Sequence, residues 1–109
     1  MAHTIKLCSV SVYTMGIWMV KPGREDDFVA AWQEFAEWTM REVEGAQPGG
    51  TLLRDRDQPS RFVSFGPWPD ENAIAGWRGS AGFKERVGRI RDLLQDFRPA
   101  TLDPVAAQG

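Results

Sequence analysis

The side chains that usually carry acid–base, nucleophilic or metal chemistry are scarce in this 109-residue chain. It contains one histidine, His3, and one cysteine, Cys8. A cluster of histidine ligands and a Ser-His-Asp triad are therefore excluded, and no internal disulfide can form. No glycine-rich phosphate or dinucleotide motif is present. We predict no metal site and no cofactor, and no spacing identifies a catalytic residue.

Aromatic side chains, in contrast, are abundant. Five tryptophans and six phenylalanines are a heavy load for a chain of this length. Core packing alone can account for them, but a roomy apolar pocket or a subunit interface accounts for them better. We therefore consider the aromatic residues as candidate walls of an apolar pocket.

Trp77 is the strongest candidate for such a wall. It lies where one predicted helix is interrupted by Gly79-Ser80 and another begins, a position suited to the rim of a pocket. The alternative is an ordinary core aromatic. Trp32, Phe35 and Phe83 are candidates of a second kind, because core packing explains them first and a pocket second.

Arg54 is the candidate for charge in the pocket. Arg54 and Arg56 lie on one side of a predicted strand, with Asp55 on the other. An arginine that faces a pocket could bind a phenolate and lower the pKa of the phenol. The alternative is a solvated strand edge with weak surface ion pairs.

Charge and hydropathy exclude two kinds of partner. The formal net charge is −2, and the basic residues are not grouped, so we expect neither a nucleic-acid nor an anionic-membrane surface. The apolar stretch 7–20 is too short to span a bilayer and carries no cleavage signal. A lone thiol fits a reducing compartment, so we expect a cytoplasmic protein.

The order of predicted elements is β-α-β-β-α-β, the ferredoxin-like pattern of the α+β class. It implies one domain over residues 13–106, with tails at 1–12 and 107–109, in which two helices cover one face of a four-stranded antiparallel sheet. The predicted elements are a strand at 13–20, a helix at 24–43, strands at 51–56 and 61–68, a helix at 71–77 that resumes after Ser80 to about Phe97, and a strand at 100–105.

The first strand is apolar on both faces. Met15, Ile17 and Met19 alternate with Trp18 and Val20. An antiparallel sheet with one face in water should show a polar set. Since the helices cover only one face, burying the other against a second copy recovers roughly 1.5–3 kcal/mol for each large apolar side chain. We therefore predict a two-fold homodimer.

Several short motifs in fixed order resemble the antibiotic biosynthesis monooxygenase family. The resemblance extends over about residues 13 to 106. It is carried by Lys21-Pro22-Gly23, Pro48-Gly49, the strand-turn-strand 54–62, Trp68, Glu71-Asn72-Ala73, Trp77, Ser80 and Phe83.

This resemblance implies a dimeric α+β barrel with a pocket between the sheet and the helices. Thr14, Gly16 and Trp18 would lie on the pocket side of the first strand. A glycine within a strand often leaves room for a ligand, and the alternative for Gly16 is a bend or bulge.

The resemblance also implies two kinds of activity. Some family members oxygenate polyketide phenols without metal or flavin, and others degrade haem with a strand asparagine, a tryptophan and an iron-binding histidine. Trp77 matches the tryptophan, but Gly16 and Val87 occupy the other two positions, which disfavours haem degradation. We expect a cofactor-independent monooxygenase acting on a small aromatic or polyketide-like phenol; the alternative is a non-catalytic ligand-binding or scaffold dimer of the same fold.

Overall fold

The computed structural model describes residues 12–108, so most of the predicted N-terminal tail lies outside the described residues. The expected α+β, ferredoxin-like order is confirmed, with the second helix split in two. The elements are β1 (Val12–Val20), α1 (Glu25–Glu42), β2 (Thr51–Arg54), β3 (Arg61–Trp68), α2 (Glu71–Gly79), α3 (Ala81–Arg91) and β4 (Leu94–Leu102).

The sheet has the order β2-β3-β1-β4, and its neighbouring strands are antiparallel. β1 lies inside the sheet, where it pairs with β3 on one side and β4 on the other. Gly16 is opposite Ser64 and Pro99, and Trp18 is opposite Phe62 and Phe97. β2 and β4 are therefore the edge strands.

Helix α1 begins with three acidic residues, Glu25, Asp26 and Asp27. Carboxylates there interact favourably with the positive end of the helix dipole. Its buried face carries Phe28 and Phe35, which pack with Trp18, Phe62 and other residues in the main hydrophobic core. This core lies between the sheet and the helices.

Two side-chain caps mark the starts of α2 and α3. Asp70 accepts a hydrogen bond from the backbone N–H of Ala73 (2.8 Å) and so starts α2. Ser80 Oγ accepts from the N–H of Phe83 (3.2 Å), which starts α3. The same hydroxyl donates to the carbonyl oxygen of Trp77 (2.8 Å). Both caps satisfy N–H groups that a helix start leaves without partners, and the second fixes the backbone beside Trp77.

The predicted boundary between the last helix and the last strand is wrong. The second helix was expected to run to about Phe97 and the last strand to cover 100–105, but α3 ends at Arg91 and β4 covers Leu94–Leu102. Backbone bonds from Asp92 and Leu93 to carbonyls one turn back close the helix. Pro99 is compatible with β4 because an edge strand can accommodate a residue without an N–H.

Strand β2 is two residues shorter than predicted. Asp55 ends it, because its carboxylate accepts from the backbone N–H groups of Asp57 (2.8 Å) and Gln58 (3.2 Å) and turns the chain. Arg61 also contacts this carboxylate at 3.2 Å. The backbone bond of Asp57 is the main cause that holds the pKa of Asp55 below its ordinary value.

The sheet face turned away from the helices carries several large apolar side chains and is partly exposed. Residues paired directly across an antiparallel ladder share a face, so Phe65 and Leu102 join Met15 and Tyr13 there. Leu53 on β2 is 51% exposed, Leu102 44% and Phe65 38%. We call this surface the outer face.

Within residues 12–108, no helix is both long and apolar enough to cross a bilayer.

Removing the ring of Phe97 should destabilise the fold. This ring stacks on Trp18 with centroids 4.1 Å apart and packs against the main core. Since Phe97 is only partly buried, we expect Phe97→Ala to lower the free energy of unfolding by about 2 kcal/mol, below the ~3–5 kcal/mol of a fully buried phenylalanine. Urea unfolding followed by circular dichroism measures it. Val105→Ala, at a side chain 95% exposed, is the control, and an equal loss there would contradict the assignment.

Glu25 should make stability depend on acid pH. Ser60 Oγ donates to its carboxylate at 2.6 Å, and this bond is the first cause holding the pKa of Glu25 below its ordinary value of 4.5. A carboxyl group whose pKa is lower in the folded state stabilises above the unfolded pKa and loses that effect as pH falls through the folded value. We expect Glu25→Gln to lower the melting temperature at pH 7 and the difference from wild type to narrow by pH 3.

The control for that charge removal is Glu37→Gln, an exposed position on the same helix. Thermal unfolding of all three proteins at both pH values provides the comparison. A Glu25→Gln deficit that stays constant from pH 7 to pH 3 would contradict the assigned linkage.

Candidate functional site

Trp77 lies at the centre of an aromatic cluster between the helices and the sheet. Its ring stacks on Phe35 with centroids 5.6 Å apart and an interplanar angle of 18°. Phe83 meets it edge-on at 4.9 Å, and Trp68 is tilted against it at 4.8 Å. Residues from α1, α2, α3 and β3 therefore converge on one indole.

A hydrogen bond fixes the orientation of that indole. Trp77 Nε1 donates to Thr39 Oγ1 at 3.0 Å. The Thr39 hydroxyl in turn donates to the carbonyl oxygen of Phe35, one turn earlier on α1, at 2.9 Å. Thr39 is buried, so without this acceptor a largely desolvated N–H would be left without a partner, at a cost of about 1–3 kcal/mol.

Two more buried indoles donate to hydroxyls. Trp18 Nε1 donates to Ser64 Oγ at 2.9 Å, and Trp68 Nε1 donates to Thr14 Oγ1 at 3.1 Å. Within residues 12–108, neither hydroxyl has an acceptor for its own proton. Since a hydroxyl both accepts and donates, Thr14 and Ser64 can each offer a hydrogen bond to a bound molecule.

Trp77 lines two cavities of about 200 Å³ each. We call the first the loop cavity, because the loop 46–50 forms part of it. We call the second the α3 cavity, because Phe83, Val87 and Arg91 of that helix line it. The side chains common to both linings are Thr14, Phe35, Ser64 and Trp77.

Most of the site residues expected from the sequence meet at these cavities. Trp77 and Phe35 line both of them. Gly16, Trp18 and Phe83 line the α3 cavity, with Val87 beside them. Trp32 lines the loop cavity and also a second, more open depression.

The space beside Gly16 is taken up by its neighbours. A Cβ atom at this position would lie 2.9 Å from Trp18 Nε1 and 3.1 Å from Phe97 Cε1. The glycine thus permits the close approach of an indole that is held by Ser64. Its missing side chain makes room for these two rings.

Arg54 does not reach either cavity. Its guanidinium lies over the ring of Phe62, 4.9 Å from the centroid, and it lines the depression next to Trp32 and Leu52. The arginines that line the α3 cavity are Arg78 and Arg91, which sequence reasoning missed. The available signal was spacing: Arg78 follows Trp77, and Arg91 lies one helical turn after Val87.

The two cavities hold little acid–base chemistry. Among the described residues that line them, none is Asp, Glu, His, Lys or Tyr. Within residues 12–108, no three His, Cys, Asp or Glu side chains are grouped to hold a metal ion. Glu25 and Asp55, whose pKa values are lowered, line neither cavity. The arrangement can bind and orient a flat apolar molecule, give it hydrogen bonds and present positive charge.

Solved structures share this fold. A variant of SnoaB, a cofactor-independent oxygenase from Streptomyces nogalater, has a TM-score of 0.81 and 22% identity, over 89% of this chain and 95% of that one. A conserved protein from Methanosarcina mazei has a TM-score of 0.78 and 17% identity, over 91% and 97%. An antibiotic biosynthesis monooxygenase has a TM-score of 0.74 and 23% identity, over 87% and 99%.

At these identities the solved structures establish the fold alone. No curated protein matches the chain in sequence. The family model of the antibiotic biosynthesis monooxygenases does match, over residues 11–89, which is well over half of the chain. The chain therefore belongs to the antibiotic biosynthesis monooxygenase family.

Proposed function

We propose that this protein is a cofactor-independent monooxygenase that oxidises a small aromatic or polyketide-like phenol with O2. Family membership and the structural similarity to SnoaB support the class of reaction. The observation that carries the proposal is that Trp77 lines two apolar, aromatic-walled cavities, which the side chains of Thr14 and Ser64 also line.

Such a reaction needs no external reductant. An electron-rich phenolate or carbanion can itself pass an electron to O2. When an anthrone becomes a quinone, its methylene carbon gains one oxygen atom and loses two hydrogens, which leave with the second oxygen atom as water. The substrate thus supplies every electron, and the protein must bind it, orient it and favour its anion.

The residues at the cavities suit those three tasks. The rings of Phe35, Trp77 and Phe83 can hold a flat substrate and exclude water from it. Thr14 and Ser64 can donate hydrogen bonds to a developing oxyanion, which stabilises negative charge most effectively where water is excluded.

Cavity size favours a substrate of one or two rings. An apolar cavity of about 150 Å³ is large enough for benzene, whereas sites for drug-sized ligands run from about 300 Å³ upwards. Each cavity of about 200 Å³ lies between these. A naphthol fits this range, and a larger polyketide would need both cavities and a displacement of Trp77.

A non-catalytic binding protein of the same fold is the second candidate. The observation that favours it is the lack, among the described lining residues, of any side chain suited to remove a proton at neutral pH. Binding without turnover would then raise the melting temperature, with a stabilisation that grows with the logarithm of ligand concentration above Kd, while O2 is left unconsumed.

Haem degradation is disfavoured in this proposal. Val87 lines the α3 cavity and is buried, and its hydrocarbon side chain cannot bind iron. Gly16 offers no side chain there either. A haem titration followed at the Soret band should show no saturable one-to-one complex.

We also propose that the protein is a homodimer joined through the outer face. Met15 and Ile17 of the central strand lie on this face with Phe65 and Leu53. Contiguous exposed apolar surface of this kind marks interaction sites. Since the face repeats on every copy, two copies can cover each other around a two-fold axis.

The oxygenase proposal predicts O2-dependent conversion of a naphthol or an anthrone by metal-free protein. We expect one O2 consumed per quinone formed, and no product under nitrogen. Trp77→Phe, which removes the N–H and part of the wall, should lower kcat/KM about tenfold, and Thr39→Val should have a smaller effect because it removes only the acceptor. An oxygen electrode with product chromatography measures both.

The matched control is Trp38→Phe, which changes a buried tryptophan that lines neither cavity. Loss of activity equal to that of Trp77→Phe would assign the effect to general destabilisation. A substrate panel that raises the melting temperature without any O2 uptake would support the non-catalytic candidate instead.

The dimer proposal predicts a species with the mass of two chains in analytical ultracentrifugation at micromolar concentration. Ile17→Asp places a charge at the centre of the outer face and should shift the species to a monomer, and Leu53→Asp near its edge should weaken the dimer less. Ala30→Asp, at an exposed position on α1, should leave the dimer intact. A wild-type protein that sediments as one chain would contradict the proposal.

A further inference from the structure

The α3 cavity has a positively charged side. Arg78 near the end of α2 and Arg91 at the end of α3 both line it, and the described lining residues include no acid. Arg78 Nη1 donates to Thr101 Oγ1 at 3.2 Å. Because a guanidinium has five N–H donors, this bond leaves most of its donors available for a ligand.

Two carboxylates on the elements that line this cavity form ion pairs with other arginines. On α3, Glu85 contacts Arg89 at 3.1 Å. On β4, Asp96 contacts Arg98 at 3.1 Å. Within residues 12–108, no carboxylate lies within ion-pairing distance of the two arginines of the cavity. Their charge is therefore uncompensated by the part of the protein that the structure describes.

Several apolar residues that line the α3 cavity are more buried than the two arginines that line it. Trp18, Phe35 and Val87 are at most 5% exposed, whereas Arg78 is half-buried and Arg91 is exposed. The lining is thus apolar at its buried end and cationic at the end nearest solvent. A complementary ligand has a flat apolar ring and an anionic group at one end.

A carboxylate matches this charge better than a neutral group does. It is ionised at neutral pH without the help of a base, and none is found among the described lining residues. It also accepts charge-assisted hydrogen bonds from guanidinium groups, which are stronger than neutral ones. A phenol would have to lose its proton first.

We propose that Arg78 and Arg91 form an anion subsite that binds the carboxylate of a small aromatic acid whose ring lies in the α3 cavity. This inference rests on the proposed function, because it assigns the class of ligand for the same site. The sequence analysis expected Arg54 to bind a phenolate in the pocket, whereas this subsite assigns the binding of a carboxylate to Arg78 and Arg91.

The test compares 2-naphthoate with 2-naphthamide, two probes of the same shape of which only the first is charged. Binding to the full-length wild-type protein is measured at pH 7 by isothermal titration calorimetry. We expect the acid to bind at least about tenfold more tightly than the amide, and the difference to shrink as salt concentration rises. Arg78→Gln and Arg91→Gln should each weaken the acid about threefold to tenfold and leave the amide within twofold.

Arg89→Gln is the matched control, since Arg89 is exposed on the same helix, pairs with Glu85 and lines neither cavity. If it weakens the acid as much as Arg91→Gln does, the preference comes from diffuse charge and the proposed subsite is wrong. Equal affinity for acid and amide, or no saturable binding of the acid up to its solubility limit, would also overturn it.

Two features of the design keep the subsite testable if one variant fails to fold, and keep its outcome distinct from that of the oxygenase proposal. Arg91 is exposed, so Arg91→Gln should fold and decides the outcome even if Arg78→Gln does not. O2 uptake with a neutral naphthol is measured in parallel: activity there together with equal affinity for acid and amide would overturn the subsite and leave the proposed oxygenase in place.

Discussion

Three of the indoles packed inside this fold carry an N–H group that needs an acceptor, because the ring is largely removed from water. A buried donor left unpaired costs about 1–3 kcal/mol, a large part of the stability of a domain this size. Here three hydroxyl groups meet that requirement. The pairs are Trp18 with Ser64, Trp68 with Thr14, and Trp77 with Thr39.

These three bonds also connect separate elements. Two of them join β1 to β3 within the sheet, and the third joins α2 to α1 in the helical layer. The hydroxyls of Thr14 and Ser64 line the two cavities as well. The groups that anchor the aromatic rings are thus the groups that a ligand would meet, so the shape of the site and the stability of the core depend on the same contacts.

The sequence predicted the order of the elements because the periodicity of β1 and α1 and the caps at Asp70 and Ser80 are local signals. It failed near the C-terminus for an equally physical reason. In β4 the partly buried positions recur every third residue, from Leu94 through Phe97 to Ala100, which mimics the apolar spacing of a helix. An edge strand that packs only intermittently on the core does not show the alternation that identifies a regular strand.

In the candidate site, too, the features with local sequence signals could be predicted and those that depend on distant residues could not. Its aromatic walls could be predicted, since Trp77, Phe35 and Phe83 are conspicuous in the sequence and their family pattern is local. The acceptors of the indole N–H groups could not, because each hydrogen bond joins residues at least 38 positions apart in the chain. Such pairings depend on strand register and helix packing, which periodicity does not specify.

The position of the arginines shows why charge is the hardest part of a site to predict from sequence. Arg54 is on β2, an edge strand separated from β1 by β3, so its distance from the cavity follows from the order of strands. Arg78 and Arg91 lie on two helices separated by the break at Ser80, and both line the same cavity. The aromatic rings follow from hydrophobic burial, which acts on every apolar side chain, whereas the direction of a surface charge depends on topology. The rings select the shape of a ligand, and the arginines at the solvent end select its charge. These two properties are separable in this fold, so a sequence can keep the aromatic rings and change the charged residues.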